Sequence, residues 1–155
     1  MPILSIQRTE RPEQPILLIR RRLARNELQG MLAECFGRLY AHGYSAGLPI
    51  AGFPIARYVS MGPGPWTVEA AIPLARPAAA EGEMQAGILP AGTVVLAVHA
   101  GPYDQLSDTN AAIERWIETK GLRVGGAPWE SYVTDPGQHP DPADWRTEVY
   151  WPLAE

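Results

Sequence analysis

The chain has 155 residues, 46% of them hydrophobic and 19% charged, with a formal net charge of −4. That length suits one folded domain of ordinary globular composition, and excludes a disordered chain. The negative balance makes nucleic acid a poor default partner, and a single cysteine, Cys35, excludes an internal disulfide framework.

In chain order, residues 1–14 read as a polar lead-in with a short strand expected over Ile3 to Ile6. Pro15 opens the apolar run PILLIRRRL, whose three terminal arginines read as the solvated end of a strand. From Asn26, a candidate N-cap, Leu28, Met31, Leu32, Cys35, Phe36, Leu39 and Tyr40 recur at three- and four-residue steps. This spacing predicts an amphipathic helix ending at Gly43, with Cys35 as a small buried hydrophobe. Phe53–Ser60 and Trp66–Leu74 are expected strands joined by the MGPGP turn, which lacks the Lys-Ser/Thr of a phosphate loop. The stretch ARPAAAEGEMQAG reads as a linker.

After Pro90 the order restarts. TVVLAVHAG is a β-branched strand, and Ser107–Lys120 is a second amphipathic helix with Ala111, Ala112 and Trp116 inward, joined by Ile113 and Ile117. Trp129–Thr134 and Thr147–Leu153 are strands flanking DPGQHPDPADW. Trp66-x-x-Glu69-x-x-x-Pro73-Leu74 matches Trp145-x-x-Glu148-x-x-x-Pro152-Leu153 at an offset of 79 (145 − 66), and Tyr58 aligns with Tyr132 at 74 (132 − 58). The expected fold class is α+β: duplicated β-α-β-β units, pseudo-repeats about 15–76 and 90–155 of a single domain. Their strands are expected to form one curved antiparallel sheet with two helices on one face.

Strand periodicity puts Glu130 with Tyr132 on one face, and Glu148 with Tyr150. A sheet covered by helices on one side is expected to leave the other face open, bearing Tyr58, Tyr132, Glu69 and Glu148, with Glu130 opposite Ala56 of the first half. The Glu130/Ala56 asymmetry is informative because the fold does not demand a carboxylate there. Carboxylates among aromatic rings suit a hydrophobic organic cation or a flat aromatic molecule. The bland readings are solvated glutamates, arginine pairs for Glu69 and Glu148, and half-buried sheet tyrosines. His99 reads as structural rather than as a general base. Trp66 and Trp145 read as core, and Trp129 as lining a pocket rim.

Pro90-Ala91-Gly92, His99-Ala100-Gly101-Pro102-Tyr103, Pro128-Trp129-Glu130-Ser131-Tyr132-Val133-Thr134-Asp135-Pro136 and Trp145-Arg146-Thr147-Glu148-Val149-Tyr150-Trp151-Pro152-Leu153 resemble the GyrI-like effector-binding domains. The resemblance implies an SHS2-like duplicated fold, with a ligand pocket between the two repeats. Its pocket glutamate maps onto Glu130 and its C-terminal strand glutamate onto Glu148. Glu130, Tyr132, Glu148, Tyr150, Tyr58, Glu69, Trp129 and Tyr103 are the expected ligand-binding set.

Such domains occur within multidrug-responsive transcription regulators, and alone as gyrase-modulating proteins. Some resemble hydrolases that open cyclopropane rings in DNA-alkylating compounds; in an enzyme of that kind Glu130 and Glu148 would be the acid–base residues. Only about a dozen residues precede Pro15, too few for a helix-turn-helix. The expectation is a stand-alone, cytoplasmic module for a hydrophobic small molecule. It is expected to work without cofactor, metal, membrane or direct nucleic-acid contact, and a protein partner such as gyrase or a regulator is an open alternative.

Overall fold

The computed structural model describes residues 3–155. In chain order the elements are β1 (Ile3–Arg11), β2 (Gln14–Leu23), α1 (Leu28–Ser45), β3 (Ile55–Ser60), β4 (Trp66–Pro73), β5 (Gln85–Leu89), β6 (Gly92–Ala100), α2 (Leu106–Thr119), β7 (Trp129–Tyr132) and β8 (Arg146–Pro152). One 3-10 turn precedes each helix, Arg25–Glu27 before α1 and Tyr103–Gln105 before α2. The α+β class read from the sequence holds, and every strand pairing within a unit is antiparallel.

The chain divides into two compact units, one spanning Pro12–Ala91, the other formed by the residues up to Arg11 with Gly92–Glu155. In the first, the strands run β3-β4-β2-β5. In the second they run β7-β8-β6-β1. The two arrangements are the same: a hairpin whose second strand pairs with the strand before the helix, and one further strand on the far side. In the first unit that last place is filled by β5, and in the second by β1.

Both of those strands differ from expectation. The lead-in is a nine-residue strand, paired with β6 from Ile3↔His99 to Arg11↔Gly92. The expected linker contains β5, which pairs with β2 from Gln14↔Leu89 to Leu18↔Gln85. Neither segment alternates cleanly, so period-two reading passes over them; each is held by the strand beside it.

In the Pro12–Ala91 unit, α1 lays Met31, Cys35 and Leu39 on Leu17, Ile19, Val68, Ala70 and Ile72. Cys35 is buried as expected, and burial pushes its thiol pKa up. The helix does not stop at Gly43. A Cβ there would lie 3.0 Å from Ile50 Cδ1, so this glycine serves close packing, and Gly47, at φ +65°, follows the helix end instead. The arginines of β2 are not simply solvated: Arg20 pairs with Glu69 and Arg21 with Glu83.

In the other unit, α2 packs Leu106, Ile113 and Ile117 on Val95, Ala97, Val149 and Trp151. The inward stripe is rotated from the expected one: Thr109, Ile113 and Ile117 are buried, whereas Ala111, Ala112 and Trp116 are half-buried. Gly121, at φ +71°, follows the helix as expected.

The face opposite each helix is not open. On β2, β3 and β4 that face buries Ile16, Leu18, Ile55 and Ala71; on β6, β7 and β8 it buries Val94, Trp129 and Tyr150. The run Ile16-Leu17-Leu18-Ile19, apolar on both faces, is the pattern of a strand covered on both sides.

Candidate functional site

Register decides which side chains meet. Residues directly opposite on antiparallel strands share a face. β7 pairs with β8 as Trp129↔Tyr150, Glu130↔Val149, Ser131↔Glu148 and Tyr132↔Thr147. Glu130 and Tyr132 therefore lie with Val149 and Thr147 on the α2 side, while Glu148 and Tyr150 lie with Trp129 on the other. The same division appears around β4, where Arg57↔Glu69 and Tyr58↔Val68 put Glu69 and Tyr58 on opposite faces. This corrects the expectation of a single face shared by the two tyrosines and the carboxylates. A strand's own alternation fixes which residues go together but not which side they take, and a one-residue change of register exchanges the faces.

The α2 side holds the most developed polar cluster. Glu130 is 3% exposed. Asn110, on the fourth residue after Leu106 and so one turn along α2, donates Nδ2 to Glu130 Oε2 at 3.1 Å. Tyr132, two residues along β7 and hence on the same face, donates its hydroxyl to Glu130 Oε1 at 2.7 Å. The Asn110 Oδ1 accepts from Trp151 Nε1 at 2.9 Å. Charge-assisted bonds of this kind contribute about 1.5–3 kcal/mol each, against a desolvation cost of several kcal/mol for a buried carboxylate.

Aromatic rings stand beside this cluster. Tyr103 packs 5.3 Å from Tyr132 and 4.7 Å from Trp145, centroid to centroid. Burial raises the Tyr103 pKa, with smaller contributions from Asp135 and Glu130. Trp145 is half-buried and donates Nε1 to the His139 carbonyl at 2.6 Å. The rim reading of Trp129 is corrected: it is 1% exposed and stacks on Tyr150 at 5.1 Å. Trp66 and Trp145, at the strand starts where core positions were expected, are instead half-buried.

The remaining expected residues lie elsewhere. Tyr150 donates to Glu148 Oε1 at 2.9 Å, the same Glu-x-Tyr pairing as on β7, and Arg11 lies over the Tyr150 ring at 4.8 Å. Burial, then Glu148, pushes the Tyr150 pKa up to about 12. Glu69, 1% exposed, accepts from Arg20 Nε at 2.9 Å and Nη2 at 2.6 Å, with Arg57 Nη1 3.6 Å away. The arginine-pair alternative thus describes Glu69. Tyr58 packs edge-on against Trp66 at 6.1 Å, and Arg25 lies over the Trp66 ring at 5.4 Å.

His99 is fully buried and tied at both nitrogens. The Pro102 carbonyl, 3.0 Å from Nε2, can only accept, so Nε2 carries the proton and, in the neutral ring, Nδ1 accepts from Thr109 Oγ1 at 2.6 Å. The ring joins β6 to α2, a structural task.

Asn110 and Trp151 are the site residues that sequence reasoning missed. The available signal was Asn110 itself, a polar residue one position from the buried stripe of α2.

A family model for the GyrI-like small molecule binding domain matches residues 5–154. The chain belongs to this family. Among solved structures, this GyrI-like domain is similar to EcmrR in its complex with DNA, with 24% identity and a TM-score of 0.85 over 97% of the chain. It spans 57% of that EcmrR chain, and 99% of the separately solved EcmrR C-terminal domain, which is 22% identical with a TM-score of 0.82. It is similar to a hydrolase from Listeria innocua (15% identity, TM-score 0.69, 99% of this chain and 93% of that one). It is also similar to SAV2435 bound to tetraphenylphosphonium (12% identity, TM-score 0.66, 97% and 94%). None of the curated proteins matches the chain. No helix among the described residues is long and apolar enough to cross a membrane.

Proposed function

We propose that this GyrI-like domain captures hydrophobic cations or flat, polarised aromatic compounds, with Glu130 as the countercharge and Tyr103, Tyr132 and Trp145 as the ring surface. One observation carries the reading: a nearly fully buried carboxylate, oriented by Asn110 and Tyr132, stands where the other repeat has the methyl group of Ala56. Both of those donors aim the group, and both are themselves neutral. Stacking and cation–π attraction on the rings add about 0.5–2 kcal/mol to the charge term. The likeness to SAV2435, solved with tetraphenylphosphonium, supports the ligand class.

Tetraphenylphosphonium is the test probe, followed by quenching of tryptophan fluorescence and by calorimetry. The wild-type protein is expected to bind it, and Glu130→Gln to weaken binding about tenfold or more, equivalent to roughly 1.4 kcal/mol. Neutral triphenylphosphine oxide is expected to bind both proteins alike. No response from the wild type at high micromolar probe defeats the reading.

A second reading is a hydrolase of cyclopropane-bearing alkylators. The Tyr132–Glu130 pair, a hydroxyl donor 2.7 Å from a carboxylate, and the likeness to the Listeria innocua hydrolase favour it. In that reaction water adds to the ring carbon as the ring C–C bond breaks toward its conjugated acceptor, which takes the proton. Glu130 would activate the water, and Glu148 with Tyr150 is the equivalent pair on the opposite face. Product formation that disappears in Glu130→Gln selects the enzyme; stoichiometric binding without product selects the binding module.

A further inference from the structure

Because the two units repeat one arrangement, each serves as a control for the other. Both helices start on a leucine after a 3-10 turn, Leu28 and Leu106, an offset of 78 (106 − 28). Their buried positions agree at that offset: Met31 with Thr109, Cys35 with Ile113, Leu39 with Ile117. Asn110 then corresponds to Leu32 (110 − 78). By the strand offsets, Trp151 corresponds to Ile72 (151 − 79) and Glu130 to Ala56 (130 − 74).

The three residues that hydrogen-bond in series in one unit are thus all apolar in the other. There Ile72 is core and Leu32 packs against it, while Ala56 is fully buried. This architecture is content with hydrocarbon at all three places, so packing does not explain the polar set. It changes as a set, as expected of groups that act together.

The direction of each bond follows from chemistry. An indole N–H only donates, so the atom 2.9 Å from Trp151 Nε1 must be the Asn110 carbonyl oxygen. That choice turns Nδ2 toward the Leu106 carbonyl, at 2.9 Å, and Glu130 Oε2, at 3.1 Å. Rotating the amide would break all three bonds and bring an oxygen against the carboxylate.

We infer that Trp151 and Asn110 are positioning residues. Trp151 locks the Asn110 amide so that Glu130 always faces a donor, which keeps the carboxylate ionised and aimed. Trp151 acts only through Asn110. The inference deepens the cation-binding reading and rests on it for its purpose. Titratable groups around Glu130 include Tyr132 on its own strand and Tyr103 from the turn before α2, with Asp135 acting on Tyr103. His99 of β6 lies one residue row away, through Thr147. The charged residues of α2 (Asp108, Glu114, Arg115 and Glu118) are exposed, and Glu148 of β8 lies on the other face.

The test is the titration of Glu130 itself, followed by the carboxyl carbon shift in glutamate-labelled protein and assigned with Glu130→Gln. Trp151→Phe removes only the indole donor and part of a ring; Asn110→Leu installs the side chain that the other repeat carries. Each is expected to raise the Glu130 midpoint by about one pH unit, because a donor to the charged form is lost or turned away. Glu148, on the other face, is expected to keep its midpoint. In the same variants the acid limb of tetraphenylphosphonium binding should move up with Glu130.

A merely structural role would lower the melting temperature and leave the midpoint where it is. An unchanged Glu130 midpoint in folded Asn110→Leu overturns the inference, whether or not Trp151→Phe folds. If the midpoints move but the wild type binds no tetraphenylphosphonium, the positioning role stands and the cation reading falls. If the probe binds and the midpoints stay, only the positioning role falls.

Discussion

Among the described residues, two carboxylates are almost fully buried, Glu69 and Glu130. Glu69 is met by arginines, so its charge is offset locally and it braces β2 to β4. Glu130 receives the neutral donors Asn110 and Tyr132. The Glu130/Ala56 contrast was readable from the aligned repeats, whereas Asn110 as its partner, and Trp151 as the partner of Asn110, were not, since they come from a helix and a strand distant in sequence. Tyrosines show the same dependence on surroundings. Burial holds Tyr40 near 12, and burial with the Glu148 carboxylate does so for Tyr150, against 10.0 for the free side chain. The fold therefore binds these protons more tightly than the unfolded chain. The stability involved is fully present below pH 10 and is lost as pH rises through 12. The melting temperature should hold to about pH 10 and then fall, and Tyr150→Phe should flatten part of that fall. Ultraviolet absorbance titration of tyrosinate checks it: a single transition near pH 10 for all tyrosines contradicts the prediction.

At the scale of elements, glycines separate packing from propensity. Gly30 and Gly37 lie on the exposed side of α1, where an added Cβ meets nothing within 4 Å. Replacing either with alanine should stabilise the protein by about 0.5–1 kcal/mol, the backbone entropy that glycine loses in a helix. Gly125 is the opposite case. It donates its N–H to the Pro152 carbonyl, and a Cβ there would fall 2.5 Å from the Ala154 nitrogen and 2.6 Å from the Leu153 carbonyl carbon. Backbone just past the end of β8 cannot step aside as a side-chain tip can, so Gly125→Ala should cost about 1–3 kcal/mol. Urea denaturation of the three variants measures both signs. The helices themselves were readable from their three- and four-residue steps, although the end of α1 was not. Gly43 looks like a stop signal, and only its closeness to Ile50 reveals a packing glycine.

At the scale of the whole molecule, the repeat carries more than the expected β-α-β-β order. The strand β1 stands to β6 as β5 stands to β2, although β1 opens the chain and β5 closes its own unit. A chain beginning at Pro12 should therefore keep the Pro12–Ala91 unit and weaken the other, whose β6 loses its partner from Gly92 to His99. Hydrogen exchange checks this: amides of β6 should lose protection while those of β2 and β4 keep theirs, and uniform loss or uniform retention contradicts it.

Residue spacing alone determined the α+β class, the duplication, the two Glu-x-Tyr pairs and the carboxylate that one repeat has and the other lacks. These are local or periodic features, written along the chain at separations of two to four residues or at one constant offset. Tertiary structure alone decided which face each pair occupies, that both faces of the strands are covered, and that Asn110 meets both Glu130 and Trp151. Those outcomes depend on strand register, and a slip of one residue would turn every side chain of a strand to the opposite face while leaving its pattern unchanged.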